Sequence, residues 1–179
     1  MFDPTAFENM KVVLEGALYD HDLAGEIFIA DRNDYINMAK LERRYEIAMT
    51  DQRDQDKVQN LSLSLVLDAK LKNLAAELLP SLESIQNAGC SLTIHIYLSQ
   101  KNEHEEFIKV DQVLKSIWGE DRQILQSIHY NPLAPSTMIH NHIVIMFDRL
   151  ISEDQMDDLI EMVDYLLETL KKLRSLITT

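Results

Sequence analysis

The sequence has few of the residues that break or cross-link a chain: its 179 residues include four glycines, four prolines and one cysteine. So little glycine and proline excludes a collagen-like fibre, and a hydrophobic content of 46% is too high for an intrinsically disordered chain. The single cysteine, Cys90, excludes an internal disulfide framework and fits a reducing compartment. These absences predict a globular protein that folds without cross-links.

Basic residues and long apolar runs are also scarce. Seventeen lysines and arginines stand against thirty aspartates and glutamates, so the formal net charge is -13. Such a field repels nucleic-acid phosphates and anionic lipid headgroups. No apolar run reaches the roughly eighteen residues of a membrane-spanning helix, and the N-terminus lacks the basic and apolar segments of a secretory signal. We expect a cytoplasmic protein that binds neither nucleic acid nor membranes.

The motifs of the common enzyme classes are missing as well. The sequence contains no glycine-rich phosphate loop, no Gly-x-Ser-x-Gly elbow and no kinase signature. Cys90 has the same strand parity as Leu92 and Ile94, which predicts a buried structural thiol rather than a nucleophile. His21 and its flanking aspartates are explained more simply by a turn than by a cation site, and so is the acidic segment 31–34.

Periodicity predicts alternating strands and amphipathic helices. Asp3 and Pro4 are typical of a helix start, and we expect a short helix there; Met10 to Asp20 fits a strand and a helix about equally. Strands are predicted at about 26–31, 44–49, 58–68, 90–99, 123–131 and 138–148. Helices are predicted after Asp68 as far as Pro80, from a capping box of Asn102 and Glu105 to Trp118, and from a capping box of Ser152 and Gln155 to the C-terminus.

These elements predict one α+β domain over residues 1–179, with an N-terminal β-meander at about 10–68 and an α/β remainder at 69–179. The polar stretch from Thr50 to Lys57 is the only compositional break. The short connection from Pro132 to Ser136 makes the last two strands antiparallel neighbours. We therefore expect a mostly antiparallel or mixed sheet of about six to eight strands, covered on one face by helices, with a long amphipathic C-terminal helix.

Strand alternation divides the sheet residues into a core side and a second side, because side chains two residues apart share a face. The core side holds the leucines of 61–67, the apolar residues of 92–98, Ile124 and Ile128, and the apolar residues of 139–147. The second side is polar but almost uncharged, and it holds four of the six histidines. Its candidate interaction residues are Ser62, Ser64, Thr93, His95, Tyr97, His129, His140 and His142.

Three interpretations of this second side are open. It fits a solvated sheet face, which antiparallel sheets commonly leave wet. It also fits a protein interface, because interface centres are depleted of Lys, Glu and Asp. Thirdly, His140 and His142 point the same way and, with His95 or His129, suit a divalent transition metal that would activate water in a hydrolase. A module that binds a small ligand on the same face is a further alternative.

The last helix is the second candidate for an interface. Apolar residues repeat with 3-4 spacing from Met156 to Ile177, and Ile160 and Leu167 widen the stripe. This width favours packing within the domain over an intermolecular coiled coil. Seven acids and no base lie between Glu153 and Glu168, which favours a solvated face that also attracts a basic protein partner.

No motif identifies a family. In element order, size and acidity the chain resembles small acidic α+β chaperones and adaptors that dimerise. We therefore expect a non-enzymatic cytoplasmic interaction protein, without a cofactor, that forms a homodimer and binds a partner through the uncharged sheet face or the C-terminal helix. The metal-dependent hydrolase and the small-ligand module stay as alternatives.

Overall fold

The chain forms one antiparallel sheet of six strands with helices packed against one side, as the computed structural model shows for residues 5–51, 60–78, 87–133 and 138–177. The strand order is β1-β2-β3-β4-β6-β5. The strands are β1 (Phe28–Asn37), β2 (Glu42–Thr50), β3 (Leu61–Ala69), β4 (Cys90–Lys101), β5 (Gln123–His129) and β6 (Met138–Ile151). The helices are α1 (Thr5–Leu23), α2 (Leu71–Leu78), α3 (His104–Trp118) and α4 (Met156–Ile177), the last preceded by a 3₁₀ turn at Glu153–Gln155.

A single hydrophobic core lies between the sheet and its helices. It contains alternate residues of the central strands, such as Leu63 and Leu65 of β3 and Ile94 and Ile96 of β4, together with the apolar stripes of the helices. All four of these side chains are fully buried. The predicted α+β fold, with helices on one face of the sheet, is confirmed.

Helix α1 differs most from the sequence-based expectation. The segment from Met10 to Asp20 is helical, and the helix has 19 residues instead of being short. Its stripe of Phe7, Met10, Leu14 and Leu18 is fully buried, and burying these four side chains on one face outweighs the β propensity of the two adjacent valines. The meander therefore begins at Phe28 and not at about residue 10. Asp3 and Pro4 lie outside the described residues.

The two later helices begin differently. The capping box predicted before the last helix is confirmed: the backbone N–H of Ser152 donates to Gln155 Oε1 at 3.3 Å. The capping box predicted from Asn102 and Glu105 is wrong, because the N-cap of α3 is Glu103 and its side chain makes no capping bond. The buried side chains of α3 are Val110, Leu114 and Trp118.

Helix α4 packs within the domain, as its wide apolar stripe predicted. Its buried side chains belong to the common core. The apolar residues that repeat with 3-4 spacing are therefore covered by α1, α3 and the sheet, and they are not free to form a coiled coil. Its acidic side chains, among them Asp157, Glu161 and Asp164, are exposed.

Two further expectations concern the ends of elements. Ile128 was assigned to the core, yet it is 42% exposed, because β5 is an edge strand with a neighbour on one side only. The predicted break after Thr50, the helix stop at Pro80 and most of the connection from Pro132 to Ser136 lie outside the described residues. Within the part of the chain that the structure describes, no helix is long and apolar enough to cross a membrane.

Candidate functional site

The side of the sheet opposite the core carries no helix in the described part of the chain, and we call it the helix-free face. Register defines it, because residues paired across neighbouring strands point the same way. Its members include Arg44, Glu46 and Ala48 of β2; Ser62, Ser64, Val66 and Asp68 of β3; Ser91, Thr93, His95, Tyr97 and Ser99 of β4; His140, His142, Val144 and Met146 of β6; and Gln123, Leu125, Ser127 and His129 of β5.

The eight side chains singled out by alternation all lie on this face. They form cross-strand rows, because β4 pairs with both β3 and β6, and β6 pairs with β5. The rows are Val66, Thr93 and Met146; Ser64, His95, Val144 and Leu125; Ser62, Tyr97, His142 and Ser127; and Ser99, His140 and His129.

A cluster of rings occupies the centre of the helix-free face. The Tyr97 and His142 rings stack with centroids 4.7 Å apart and planes within 4°. His95 also contacts His142, since its Nδ1 lies 3.0 Å from His142 Nε2. The His129 ring centroid lies 6.5 Å from that of His142. Neutral imidazoles suit this arrangement, because one ring donates the shared hydrogen bond and the other accepts it. We call these four residues the ring cluster.

The surroundings of His95 and His142 disfavour a positive charge on these two rings. Burial lowers the pKa of His95, and the neighbouring His142 and Arg44 lower it further. Burial also lowers the pKa of His142, with a further contribution from His129. Both effects disfavour the imidazolium form, because a buried or crowded cation loses hydration and meets like charge. Near neutral pH the centre of the face is therefore polar, aromatic and without net charge.

These lowered pKa values predict a loss of stability in acid. An unfolded histidine takes up a proton near pH 6.5, whereas His95 and His142 in the folded protein resist it until lower pH. Their contribution to the free energy of unfolding is complete above about pH 6.5. It is lost as the pH falls through the pKa values that the two histidines have in the folded protein. We expect the urea midpoint to fall less between pH 7.5 and 5.0 in His142→Phe, which keeps a ring beside Tyr97 but cannot titrate.

His104→Gln is the matched control for this measurement, because His104 is exposed at the first residue of α3. It is expected to keep the pH dependence of the wild type. An unchanged pH dependence in His142→Phe would show that the ring cluster does not sense acid.

Charged side chains of the helix-free face lie near its β2 end. There the Arg44 guanidinium is 3.5 Å from the Asp68 carboxylate and 3.9 Å from that of Glu46. Burial raises the pKa of Asp68 despite the nearby Arg44. The rows through β4, β6 and β5 contain no lysine, arginine, aspartate or glutamate between Thr93 and Ser99 or between His140 and Met146. An uncharged patch thus lies on a strongly acidic protein.

The histidines do not assemble into a metal site. His95 and His142 bond to each other, whereas His140 Nδ1 lies 3.2 Å from Ser99 Oγ. Over the ranges that the structure describes, no three His, Cys, Asp or Glu side chains come together as metal ligands. A catalytic zinc site takes three protein ligands, so this geometry gives the hydrolase alternative no support.

The other reactive residues have structural partners. Cys90 is fully buried as predicted, its Sγ lies 3.8 Å from Met10 Sδ, and burial raises the pKa of its thiol to about 12. His21 Nδ1 lies 2.5 Å from Glu26 Oε2 at the end of α1. Asp34 pairs with Lys11 of α1 at 2.7 Å and with Arg43 of β2 at 3.2 Å. These contacts connect helices and strands. The turns predicted around His21 and at 31–34 are wrong, because His21 and its flanking aspartates lie in the last turn of α1 and residues 31–34 lie within β1.

Sequence reasoning missed the apolar part of the helix-free face. Leu125 is 49% exposed beside the ring cluster, and Val144 is its neighbour in the same row. The signal was available, because Leu125 has the same parity as Ser127 and His129. Ser64 differs in another way: it was expected on an accessible face, but it is 4% exposed.

Comparisons with known proteins identify no relative. No family model, no curated protein and no solved structure matches this chain. The geometry and charge of the helix-free face are therefore the basis for a functional proposal.

Proposed function

We propose that this is a non-enzymatic, cytoplasmic protein-interaction protein, of the adaptor or chaperone type, that binds a partner protein through the helix-free face and acts as a homodimer. The observation that carries the proposal is the ring cluster, in which Tyr97 stacks on His142 and His142 contacts His95 and His129, set in an uncharged patch. Aromatic side chains with few charges are typical of interface centres, where they combine a large contact area with hydrogen bonding.

The charge distribution supports a protein partner. The net charge of -13 attracts basic proteins over a distance, and the uncharged patch removes the cost of burying unpaired charges on contact. The acidic side chains of α4 lie on the opposite side of the molecule from the patch, since α4 packs against the core side of the sheet. The acidic surface that attracts a basic partner and the uncharged patch that the partner contacts are thus different surfaces.

A peptide library of random sequence, displayed on phage, tests the proposal. We expect peptides selected on the wild-type protein to lose at least about tenfold in affinity on Tyr97→Asp, because a carboxylate would be buried among uncharged rings. Ile160→Asp is the matched control: Ile160 of α4 is 48% exposed and Tyr97 is 44% exposed. This control should bind the same peptides with unchanged affinity.

Three results would contradict the proposal. The first is that no peptide is enriched, and the second is that Tyr97→Asp and Ile160→Asp weaken binding equally. The third comes from metal analysis of protein purified without a histidine tag. Stoichiometric zinc, manganese or iron that is lost in His140→Ala with His142→Ala would favour the metal-dependent hydrolase instead.

A further inference from the structure

The two edges of the sheet differ in their protection against pairing with another strand. The free N–H and C=O groups of an exposed edge strand pair readily with a second chain. Edge strands therefore normally carry charges or bulges that prevent this pairing. Edge strand β1 carries Asp31, Arg32 and Asp34, and its pairing with β2 is interrupted by a bulge between Ile29 and Asp31. Edge strand β5 reads QILQSIH and contains no lysine, arginine, aspartate or glutamate.

Strand β5 also carries an exposed apolar side chain on each of its sides. Leu125 on the helix-free face is 49% exposed, and Ile128 on the core side is 42% exposed. Gln126 Nε2 donates to the Phe107 carbonyl of α3 at 3.1 Å, so that helix lies within side-chain reach of the core side of the strand, and the adjacent Ile108 is 43% exposed. In the described part of the chain β5 pairs with β6 alone. Among the described residues its outer edge is therefore regular, uncharged and without a paired strand.

We infer that β5 is the dimer interface: it pairs antiparallel with β5 of a second copy of this chain, about a two-fold axis through Gln126. This deepens the proposed homodimer and rests on it. In this register Leu125 faces Ser127 of the second copy, Ile124 faces Ile128, and Gln123 faces His129. The paired strands join two six-stranded sheets into one, with both helix layers on the same side.

A second copy fits this edge because the register is self-complementary. Two chains of charge -13 repel each other, so self-association is favoured at a surface that brings no carboxylates together. The pairs across β5 contain none, and they place Ile124 and Ile128 opposite each other, the kind of apolar cross-strand pair that stabilises sheets. A two-fold axis is also the commonest symmetry of homo-oligomers.

The geometry links the interface to the proposed binding surface. Because the axis is perpendicular to the sheet, the helix-free faces of the two copies lie side by side. On this joined face, Ser127 of one copy lies next to Leu125 of the other. A dimer therefore offers two ring clusters on one continuous surface, which raises the avidity for a partner that has two binding segments.

Sedimentation equilibrium at micromolar concentration tests the interface with a matched pair of variants. Ile128→Lys places a charge on the β5 edge, on the core side and away from the ring cluster. We expect its dimer dissociation constant to rise by at least about tenfold. Ile36→Lys is the control, because Ile36 is 60% exposed on the core side of the other edge strand. It should remain a dimer like the wild type.

Cysteine cross-linking tests the register. A mixture of Leu125→Cys and Ser127→Cys proteins should form a disulfide-linked heterodimer faster than either variant alone, because these residues face each other across the axis. The native Cys90 is buried and does not compete. Equal cross-linking in the mixture and in the separate variants would overturn the register.

The outcomes separate this inference from the proposed function. A wild-type protein that stays monomeric would overturn the dimer and its β5 interface together. A dimer that survives Ile128→Lys but dissociates in Tyr97→Asp would overturn the β5 interface and place self-association on the helix-free face. Retained peptide binding in a monomeric Ile128→Lys would support the β5 interface and leave the partner-binding function intact.

Discussion

Ile94→Asp should leave the protein unfolded or aggregated. Ile94 is fully buried in β4, where it pairs with Leu65 on one side and Ile145 on the other. An unpaired carboxylate at such a position costs several kcal/mol, on the scale of the roughly 5–15 kcal/mol that stabilises a whole domain. Leu63→Asp is expected to have the same effect from β3. Circular dichroism and urea titration of the soluble fraction measure the loss.

Tyr97→Asp is the control on the same strand as Ile94. Its side chain points to the helix-free face and is 44% exposed, so the new carboxylate stays hydrated and the protein should stay folded. If Tyr97→Asp unfolded the chain as severely as Ile94→Asp, the helix-free face would be covered in the folded protein. Ser64→Asp does not serve as a second control, because Ser64 is 4% exposed and its carboxylate would be partly desolvated.

The sheet and its two faces could be predicted because alternation is a local property. Each of the central strands shows a two-residue period in its own sequence, and the side facing the helices follows from the apolar set. The order of the strands has no such local signal. That His95 and His142 come within hydrogen-bonding distance depends on β4 pairing with β6, although the two residues are 47 positions apart in the sequence.

Two errors show where local patterns are insufficient. The valine pair and the glycine of α1 favour a strand by propensity, but burial of Phe7, Met10, Leu14 and Leu18 on one stripe decides for the helix. Ile128 was assigned to the core from its parity alone. Parity tells which side of the sheet a residue is on, whereas its burial depends on whether the strand is central or at an edge.

The corner between α3, α4 and β6 is the second place where one substitution should have a large effect. Trp118 packs edge-on against Phe147 of β6 and lies 5.8 Å from the Tyr165 ring of α4, measured between centroids. Its indole Nε1–H donates to Thr169 Oγ1 at 3.0 Å, and this hydroxyl donates to the Tyr165 carbonyl at 2.7 Å. A single side chain thus connects three elements.

We expect Trp118→Ala to lower the free energy of unfolding by about 3–5 kcal/mol, because it leaves a cavity at the junction of these elements. Thr169→Val should cost about 1–3 kcal/mol, because it keeps the side-chain shape but leaves a buried indole N–H without an acceptor. Urea denaturation followed by circular dichroism measures both, since Trp118 is the only tryptophan and its fluorescence is lost in the variant.

The double variant separates the hydrogen bond from the packing. Trp118→Phe removes the indole N–H and keeps a ring, so adding Thr169→Val should cost less in the Trp118→Phe background than in the wild type. The remaining cost in that background is the loss of the hydroxyl bond to the Tyr165 carbonyl. If the two substitutions were additive instead, the bond between Trp118 and Thr169 would contribute nothing to the stability of this corner. The packing of the indole against Phe147 and Tyr165 would then account for the whole effect of Trp118→Ala.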